Sequence, residues 1–289
     1  MQNSKELNIS IIIPAFNEEK GIAEVLDNIT SLGGNYEIIV VDDGSRDNTA
    51  SVVEKYKDIK LIRHQHNSGY GTSLKTGIKH SKSDAVIIID ADGTYPYKQI
   101  PDLVKTMKDG DYAMVVGART GESVRIPLIR RPTKWFINKL ANYLSGIKIP
   151  DINSGLRIMK KSVVNKYLNV LPDGFSFTTT ITLAMLTNGY QVQYIPVNYF
   201  MRKGKSKIRP IKDTLNFIQL IIRTVLYFNP LRVFIPLSIC MVILAFSVLI
   251  GSWWLLGKAM DVTFGVMLMT AVMLMAIGML ADLIDKRIQ

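Results

Sequence analysis

Apolar residues arrive early in the chain as short, near-continuous runs over residues 7–14, 36–41, 59–63, 85–89 and 112–116, rich in Ile and Val. Runs of this length read as strands buried on both faces. Between them the apolar period lengthens to that of a helix. Residues 17–32 place Ile22, Leu26 and Ile29 on one face, with Glu18 and Glu19 in the first turn. Residues 50–56, 71–80 and 100–109 follow the same pattern. Strands that alternate with helices predict crossover units and a mainly parallel sheet, hence an α/β fold. Further on, residues 151–159 read as a compact, turn-rich segment, 177–186 as a helix and 192–200 as an alternating strand.

The pattern changes again toward the C-terminus. Residues 210–227 are amphipathic, with Leu215, Ile218, Ile222 and Leu226 on one side, as in a helix lying in a membrane interface. Residues 231–256 and 262–281 are then almost wholly apolar, each long enough to cross a bilayer, which takes about 20 residues. The link at 257–261 is too short to be a domain, so the pair reads as a transmembrane hairpin, with Trp253 and Trp254 suited to an interfacial belt. Basic residues before the first span, and Lys286 and Arg287 after the second, place both termini and the catalytic part in the cytoplasm, on a multi-pass protein of the cell membrane. The polar start, residues 1–8, does not read as a signal peptide. Three regions are expected: a catalytic domain over 1–209, an interfacial helix over 210–229, and the hairpin with a short tail over 230–289.

Composition sharpens this picture in two respects. The formal net charge is +11, which admits nucleic acid, an anionic bilayer or phosphorylated substrates as partners. No zinc-finger spacing or basic heptad helix accompanies the charge, so nucleic acid is set aside. The single cysteine, Cys240, lies in the apolar tail and excludes an intrachain disulfide. The three histidines, His64, His66 and His80, lack metal-site spacing and read as surface residues.

The candidate chemistry sits where strands end. Asn17 and Glu18, Asp42 and Asp43, and Asp90 and Asp92 each follow a predicted strand, and ligands of open α/β sheets bind beyond such carboxyl ends. Asp90 and Asp92 flank one residue and can share Mg²⁺ or Mn²⁺, with substrate phosphates completing the shell. The same tripeptide would also serve as a solvated turn. Asp42 is placed to accept hydrogen bonds from a base or ribose, and Gly44 permits a tight turn. No glycine-rich phosphate loop of standard spacing is present, which disfavours a dinucleotide fold or a P-loop.

Taken together, residues 11–18 (IIIPAFNE), 40–45 (VVDDGS) and 90–92 (DAD) resemble glycosyltransferase family 2, with its GT-A fold. Residues 117–119 (GAR), 153–155 (NSG) and 202–207 (RKGKSK) resemble its polyprenyl-phosphate branch, which includes dolichyl-phosphate mannosyltransferases. The resemblance implies an inverting transfer of a hexose from a UDP- or GDP-linked nucleotide sugar to a polyprenyl or dolichyl phosphate. It implies that Pro14, Phe16, Glu18 and Asp42 hold the nucleoside, and that Asp90 and Asp92 bind metal and diphosphate. Arg119 with Arg130 or Arg131 would grip the lipid phosphate, and Arg202, Lys203 and Lys207 would order over the diphosphate. Thr94 stands where some members carry Gln, and Phe16 replaces a common Tyr.

Chemistry also supports a phosphate acceptor, which is ionised at neutral pH and needs cations rather than a general base. Residues 119–134 supply five basic side chains among apolar ones, a mixture suited to a headgroup at a bilayer surface. Asp151 and Asn153 are expected to shape the acceptor side. Three rivals stay open. A lipid-alcohol transferase would need a base, for which Asp151 is the loose candidate. A processive polysaccharide synthase would carry a Gln-x-x-Arg-Trp signature, which none of Trp135, Trp253 and Trp254 provides. An inactive membrane scaffold is opposed by the intact Asp90 and Asp92. Homo-oligomerisation is compatible with the sequence.

Overall fold

The computed structural model describes residues 7–120, 148–174, 176–200 and 229–288, with isolated positions at 139, 142, 143, 146 and 226. Arg130, Arg131, Arg202, Lys203, Lys207 and, apart from Leu226, the amphipathic stretch 210–227 lie outside the described residues.

The chain runs β1 (Ile9–Ala15), α1 (Ile22–Thr30), β2 (Tyr36–Asp42), α2 (Thr49–Val53), β3 (Ile59–Arg63), α3 (Tyr70–His80), β4 (Ala85–Ile88) and, after a 3₁₀ turn at Tyr97–Gln99, α4 (Ile100–Gly110). Then follow β5 (Met114–Ala118), β6 (Arg157–Lys160), α5 (Lys161–Tyr167), α6 (Phe177–Thr187), β7 (Val192–Pro196), α7 (Leu231–Leu256) and α8 (Asp261–Ile288). The seven strands form one sheet in the order β3-β2-β1-β4-β6-β5-β7. All are mutually parallel except β6, which runs against both β4 and β5. The expected mainly parallel α/β sheet is therefore present.

Period-two alternation divides the core between the two faces of the sheet. Ile11 and Ile13 pack with Ile22, Leu26, Ile100 and Leu103 of α1 and α4. Ile12 turns to the other face, with Leu74 and Ile78 of α3 and Phe177 and Ile181 of α6. The approach of α3 to β1 depends on Gly77, where a Cβ would lie 2.4 Å from Ile12 Cγ2.

The structure corrects the sequence reading at several points. The first helix begins at Ile22 rather than at 17, because Asn17 takes φ 56°, outside the helical region. Residues 157–160, read as part of a turn-rich segment, form the antiparallel strand β6 in the middle of the sheet. The unexpected α5 follows directly. Four residues starting with an arginine carry too little apolar pattern to announce a buried strand. The fifth strand spans Met114–Ala118, two residues later than expected, and the last ends at Pro196 rather than 200.

Helices α7 and α8 are long and apolar enough to cross a membrane, with mean hydropathies of 2.8 and 2.2 and only 11% of each apolar window buried. Gly257 closes α7 in the left-handed conformation. The seam between the two helices is made of small residues: Ser238, Ala245 and Ser252 are buried at seven-residue spacing, and Ser238 Oγ donates to the Ala271 carbonyl at 2.8 Å. The outer faces are apolar and exposed, Trp254 most of all at 87%. A soluble core pair would bury those faces.

Candidate active site

The parallel strands deliver their carboxyl ends to one side of the sheet, and β6, being antiparallel, delivers its amino end there. The loops after β1 and β2 are laced together. The Asn17 backbone N–H donates to Ser45 Oγ at 2.9 Å, Glu18 N–H to Thr49 Oγ1 at 2.9 Å, and Arg46 N–H to Asn17 Oδ1 at 2.8 Å. This lacing explains why residues 17–21 do not join the helix. It holds half-buried Pro14, Phe16 and Glu18 beside the end of β2. Asp42 is wholly buried there: Oδ1 accepts from the Ser45 N–H at 3.1 Å, while Oδ2 lies 3.5 Å from Arg63 Nε and has no hydrogen-bond partner among the described residues. A carboxylate oxygen paired with a cation but not hydrogen-bonded can still accept from the donor edge of a base.

Its neighbour Asp43 has a different task. Both oxygens are taken by the protein: Oδ1 by Ser68 N–H at 2.9 Å and by His64 Nδ1 at 2.7 Å, and Oδ2 by Gly69 N–H at 2.9 Å. His64 also contacts Thr76 Oγ1 at 3.0 Å. It is half-buried rather than a surface residue, which corrects the sequence reading, whereas His66 and His80 are exposed as expected. Asp43 thereby fixes the loop into α3, whose first residue, Tyr70, donates its hydroxyl to Asp90 Oδ1 at 2.9 Å. Burial, and then the Asp90 charge, push the Tyr70 pKa well above the ordinary phenol range, so it stays a donor.

Asp90 and Asp92 are half-buried at the end of β4, next to the point where the strand order reverses between β1 and β4. Asp92 Oδ1 accepts from Thr94 Oγ1 at 2.6 Å and from Thr94 N–H at 3.2 Å, so Thr94 orients the carboxylate. Asp90 reaches its position over Gly155, where a Cβ would sit 2.2 Å from Asp90 Oδ2. Among the described residues no cluster of three or more His, Cys, Asp or Glu could hold a metal. Two hard carboxylates on a glycine-lined floor fit Mg²⁺ or Mn²⁺ that takes its other ligands from water and substrate phosphate.

Across the floor lies a second charged cluster. Arg119, just past β5, donates Nε to Asp151 Oδ2 at 2.7 Å and Nη2 to Asp151 Oδ1 at 2.8 Å and to Asn153 Oδ1 at 2.5 Å. The Arg119 N–H also donates to Asp151 Oδ2 at 3.0 Å. Its guanidinium stands 5.3 Å from the centre of the Tyr199 ring, which packs edge-on against Tyr95. Burial alone would lower the Arg119 pKa, but the Asp151 hydrogen bonds and charge outweigh it and raise it above the usual range. The Tyr95 hydroxyl oxygen accepts from the Gly155 N–H at 2.7 Å. A cleft of about 270 Å³ opens beside these groups, lined by Asp90, Asp92, Glu24, Asn28, Tyr97 and Phe200 among others.

The structure thus brings Asp90, Asp92, Arg119, Asp151 and Asn153 to one end of the sheet, with Asp42, Pro14, Phe16 and Glu18 on its β1–β2 side. Sequence reasoning missed Tyr70, Tyr95, Arg157, Tyr199 and Phe200. Only Arg157 left a trace, as a charge at the start of an apolar run.

Comparison with known proteins agrees with this fold. The family described as Glycosyl transferase family 2 matches residues 10–168. An undecaprenyl-phosphate 4-deoxy-4-formamido-L-arabinose transferase of Shewanella sediminis is 32% identical over 187 residues, 58% of this chain but only 55% of that relative. A dolichyl-phosphate hexose transferase of Haloferax volcanii is 27% identical over 205 residues, 70% of this chain and 87% of the relative. The crystal structure of glucosyl-3-phosphoglycerate synthase from Mycobacterium tuberculosis with Mn²⁺, UDP and phosphoglyceric acid aligns with a TM-score of 0.62 at 20% identity, covering 76% of this chain and 79% of that one. That likeness is one of fold.

Proposed function

The chain belongs to glycosyltransferase family 2, and on that footing we propose that it transfers a hexose from a UDP- or GDP-linked nucleotide sugar to a polyprenyl or dolichyl phosphate at a membrane surface. The relatives that act on undecaprenyl and dolichyl phosphates support this acceptor class.

The observation that carries the choice is the state of Asp151. It is 1% exposed and both its oxygens lie in the Arg119 fork. A carboxylate so engaged is a poor general base, which disfavours the lipid-alcohol alternative. A phosphate acceptor needs none. Its oxygen attacks the anomeric carbon from the face opposite the diphosphate, and the electron pair of the breaking bond leaves on the diphosphate oxygen, inverting that carbon. Pro14, Phe16, Glu18 and Asp42 hold the nucleoside, and Asp90 and Asp92 would hold the metal. Mg²⁺ or Mn²⁺ at those carboxylates would offset the charge on the departing diphosphate. Arg119, with Arg130 or Arg131, orients the acceptor phosphate, and Arg202, Lys203 and Lys207 cover the donor diphosphate. Residues 1–209 form the catalytic domain, 210–229 its interfacial helix, and 230–289 the membrane hairpin, with the catalytic side and both termini cytoplasmic.

The test is transfer by the full-length protein in detergent with Mn²⁺, offering a panel of UDP- and GDP-hexoses with either polyprenyl phosphate or free polyprenol. Metal-dependent product from the phosphate alone is expected. Equal use of free polyprenol would overturn the acceptor class, and failure to consume any donor would leave the inactive scaffold.

A further inference from the structure

The reaction just described makes no use of Arg157, yet it is the largest fully buried side chain among the described residues. It opens β6, directly below the site floor. Its Nε and Nη2 both donate to the Ser154 carbonyl, the former at 3.1 Å. Its Nη1 donates to the Thr178 carbonyl at 2.9 Å and to Thr182 Oγ1 at 2.8 Å, both on α6, and lies 3.8 Å from the Met114 sulfur. No carboxylate hydrogen-bonds it among the described residues. A buried guanidinium with no hydrogen-bonded carboxylate is costly, and its protons must then be satisfied by neutral acceptors around it.

What it holds is the segment 151–155, and that segment has a second clamp on its other side. Arg119 takes Asp151 and Asn153 from the cleft, while Arg157 takes the Ser154 carbonyl from the core. With that carbonyl held, Ser154 Oγ donates to the Gly117 carbonyl at 2.6 Å, two residues before Arg119, and Gly155 N–H reaches Tyr95. On the α6 side, Thr182 Oγ1 approaches the Ile152 carbonyl at 3.4 Å. The segment is thus fixed at Ile152 and Ser154 by the core, so that Asp151 and Asn153 face Arg119 in one arrangement.

We propose that Arg157 is a positioning residue for the acceptor side of the site: by clamping the Ser154 carbonyl to α6 it presets the Asp151–Asn153 cradle in which Arg119 is oriented toward the acceptor phosphate. The proposal rests on the phosphate-acceptor reading above. It assigns Arg157 an effect on acceptor use and none on the nucleoside pocket, which lies on β1 and β2 at the far side of β4. The clamp needs the planar fork, since a lysine ammonium cannot hold Ser154, Thr178 and Thr182 together.

The experiment compares Arg157→Lys, Arg157→Gln and the milder Thr182→Val with the wild type in the full-length protein. Three quantities are read: KM for polyprenyl phosphate, affinity for the nucleoside diphosphate without metal, and amide hydrogen exchange by residue. Both Arg157 variants should raise the acceptor KM by about tenfold or more, and Thr182→Val should raise it less. Nucleotide affinity should be unchanged. Exchange should quicken over 151–155 and 117–119 and stay at the wild-type rate in β1 and β2. Full rescue of KM by lysine would reduce the role to charge and overturn the clamp. Parallel losses in KM and nucleotide affinity, or exchange quickened across the whole sheet, would reduce it to general stability. If the Arg157 variants do not fold, Thr182→Val carries the test, and unchanged exchange over 151–155 in that variant overturns the proposal. If the wild type ignores polyprenyl phosphate, the acceptor reading fails, while the exchange measurement still decides whether Arg157 holds this segment.

Discussion

Replacing Gly155 by alanine should separate the function of the site from the stability of the fold. A Cβ at this position would meet Asp90 Oδ2 at 2.2 Å, Cγ at 2.7 Å and Oδ1 at 2.9 Å, and those are the three nearest atoms. Contacts under 3.0 Å do not persist, so the nearest oxygen must retreat by at least about 0.8 Å. The obstacle is the end of a side chain rather than backbone, and the retreat is therefore cheap for the fold: about 1 kcal/mol, at the low end for overpacking. For the chemistry it is not cheap. The carboxylate turns away from the Tyr70 hydroxyl that holds it at 2.9 Å, and a displacement near 1 Å in a reacting assembly costs about a hundredfold, or about 2.7 kcal/mol of barrier. Gly174→Ala is the matched control, because a Cβ there meets nothing within 4 Å. Thermal melting, Mn²⁺-dependent nucleotide binding and turnover are measured on the three proteins. Gly155→Ala is expected to melt within a few degrees of the wild type, bind nucleotide less tightly with Mn²⁺, and lose about two orders of magnitude in turnover. A folded Gly155→Ala protein with wild-type turnover and metal dependence would refute the placement of Asp90 as a metal ligand held against this glycine.

Further substitutions probe the other parts of the site. Asp92→Asn keeps the Thr94 contacts in shape but removes the charge, so it should fold normally and lose on the order of a hundredfold or more in turnover; wild-type turnover in steady-state assays would exclude Asp92 from metal binding. Arg119→Ala leaves the buried Asp151 without its fork, so it should cost about 3–5 kcal/mol in chemical denaturation as well as weaken acceptor use, and an unchanged midpoint would contradict the pairing seen here. At the opposite end of the sheet, burial raises the Glu37 pKa, but the Ser10 hydroxyl, the Lys82 N–H and the charges of Lys60 and Lys82 outweigh it and bring it below the ordinary value. The resulting stability is present above the unfolded pKa, about 4.3, and is lost as pH falls through the folded value. Ser10→Ala should therefore destabilise by about 1 kcal/mol near neutral pH and by less in acid, and a melting-temperature gap that stays constant from neutral to acid pH would exclude this linkage.

The helices α3, α4 and α6 and the strands β2 and β3 were legible in the sequence nearly to the residue, because each carries a continuous apolar run or a helical stripe. Asp90 and Asp92 were legible for a related reason: polar residues that end a buried strand have one place to go. Other features depended on partners distant in the chain. Asn17 leaves the helical region because Ser45 and Arg46 bind it, and nothing local marks that. Asp42 and Asp43 look alike in sequence, yet one leaves an oxygen without a hydrogen bond among the described residues and the other is fully used in pinning the loop to α3.

Periodicity and the identity of strand-end residues by themselves determined the parallel α/β sheet, the end of it that gathers the candidate site, and the apolar hairpin, because those follow from short-range pattern and from the cost of burying unpaired polar groups. The tertiary structure alone decided that β6 enters antiparallel at the centre. That reversal brings residues 151–155 to the same end as Asp90 and Arg119 and joins Asp151 to Arg119 across 32 positions of the chain. It also places an arginine in the core, where burial is tolerated only because the Ser154 and Thr178 carbonyls and the Thr182 hydroxyl accept its protons. Pairings of this kind are chosen by geometry between distant segments, and local sequence carries no record of them.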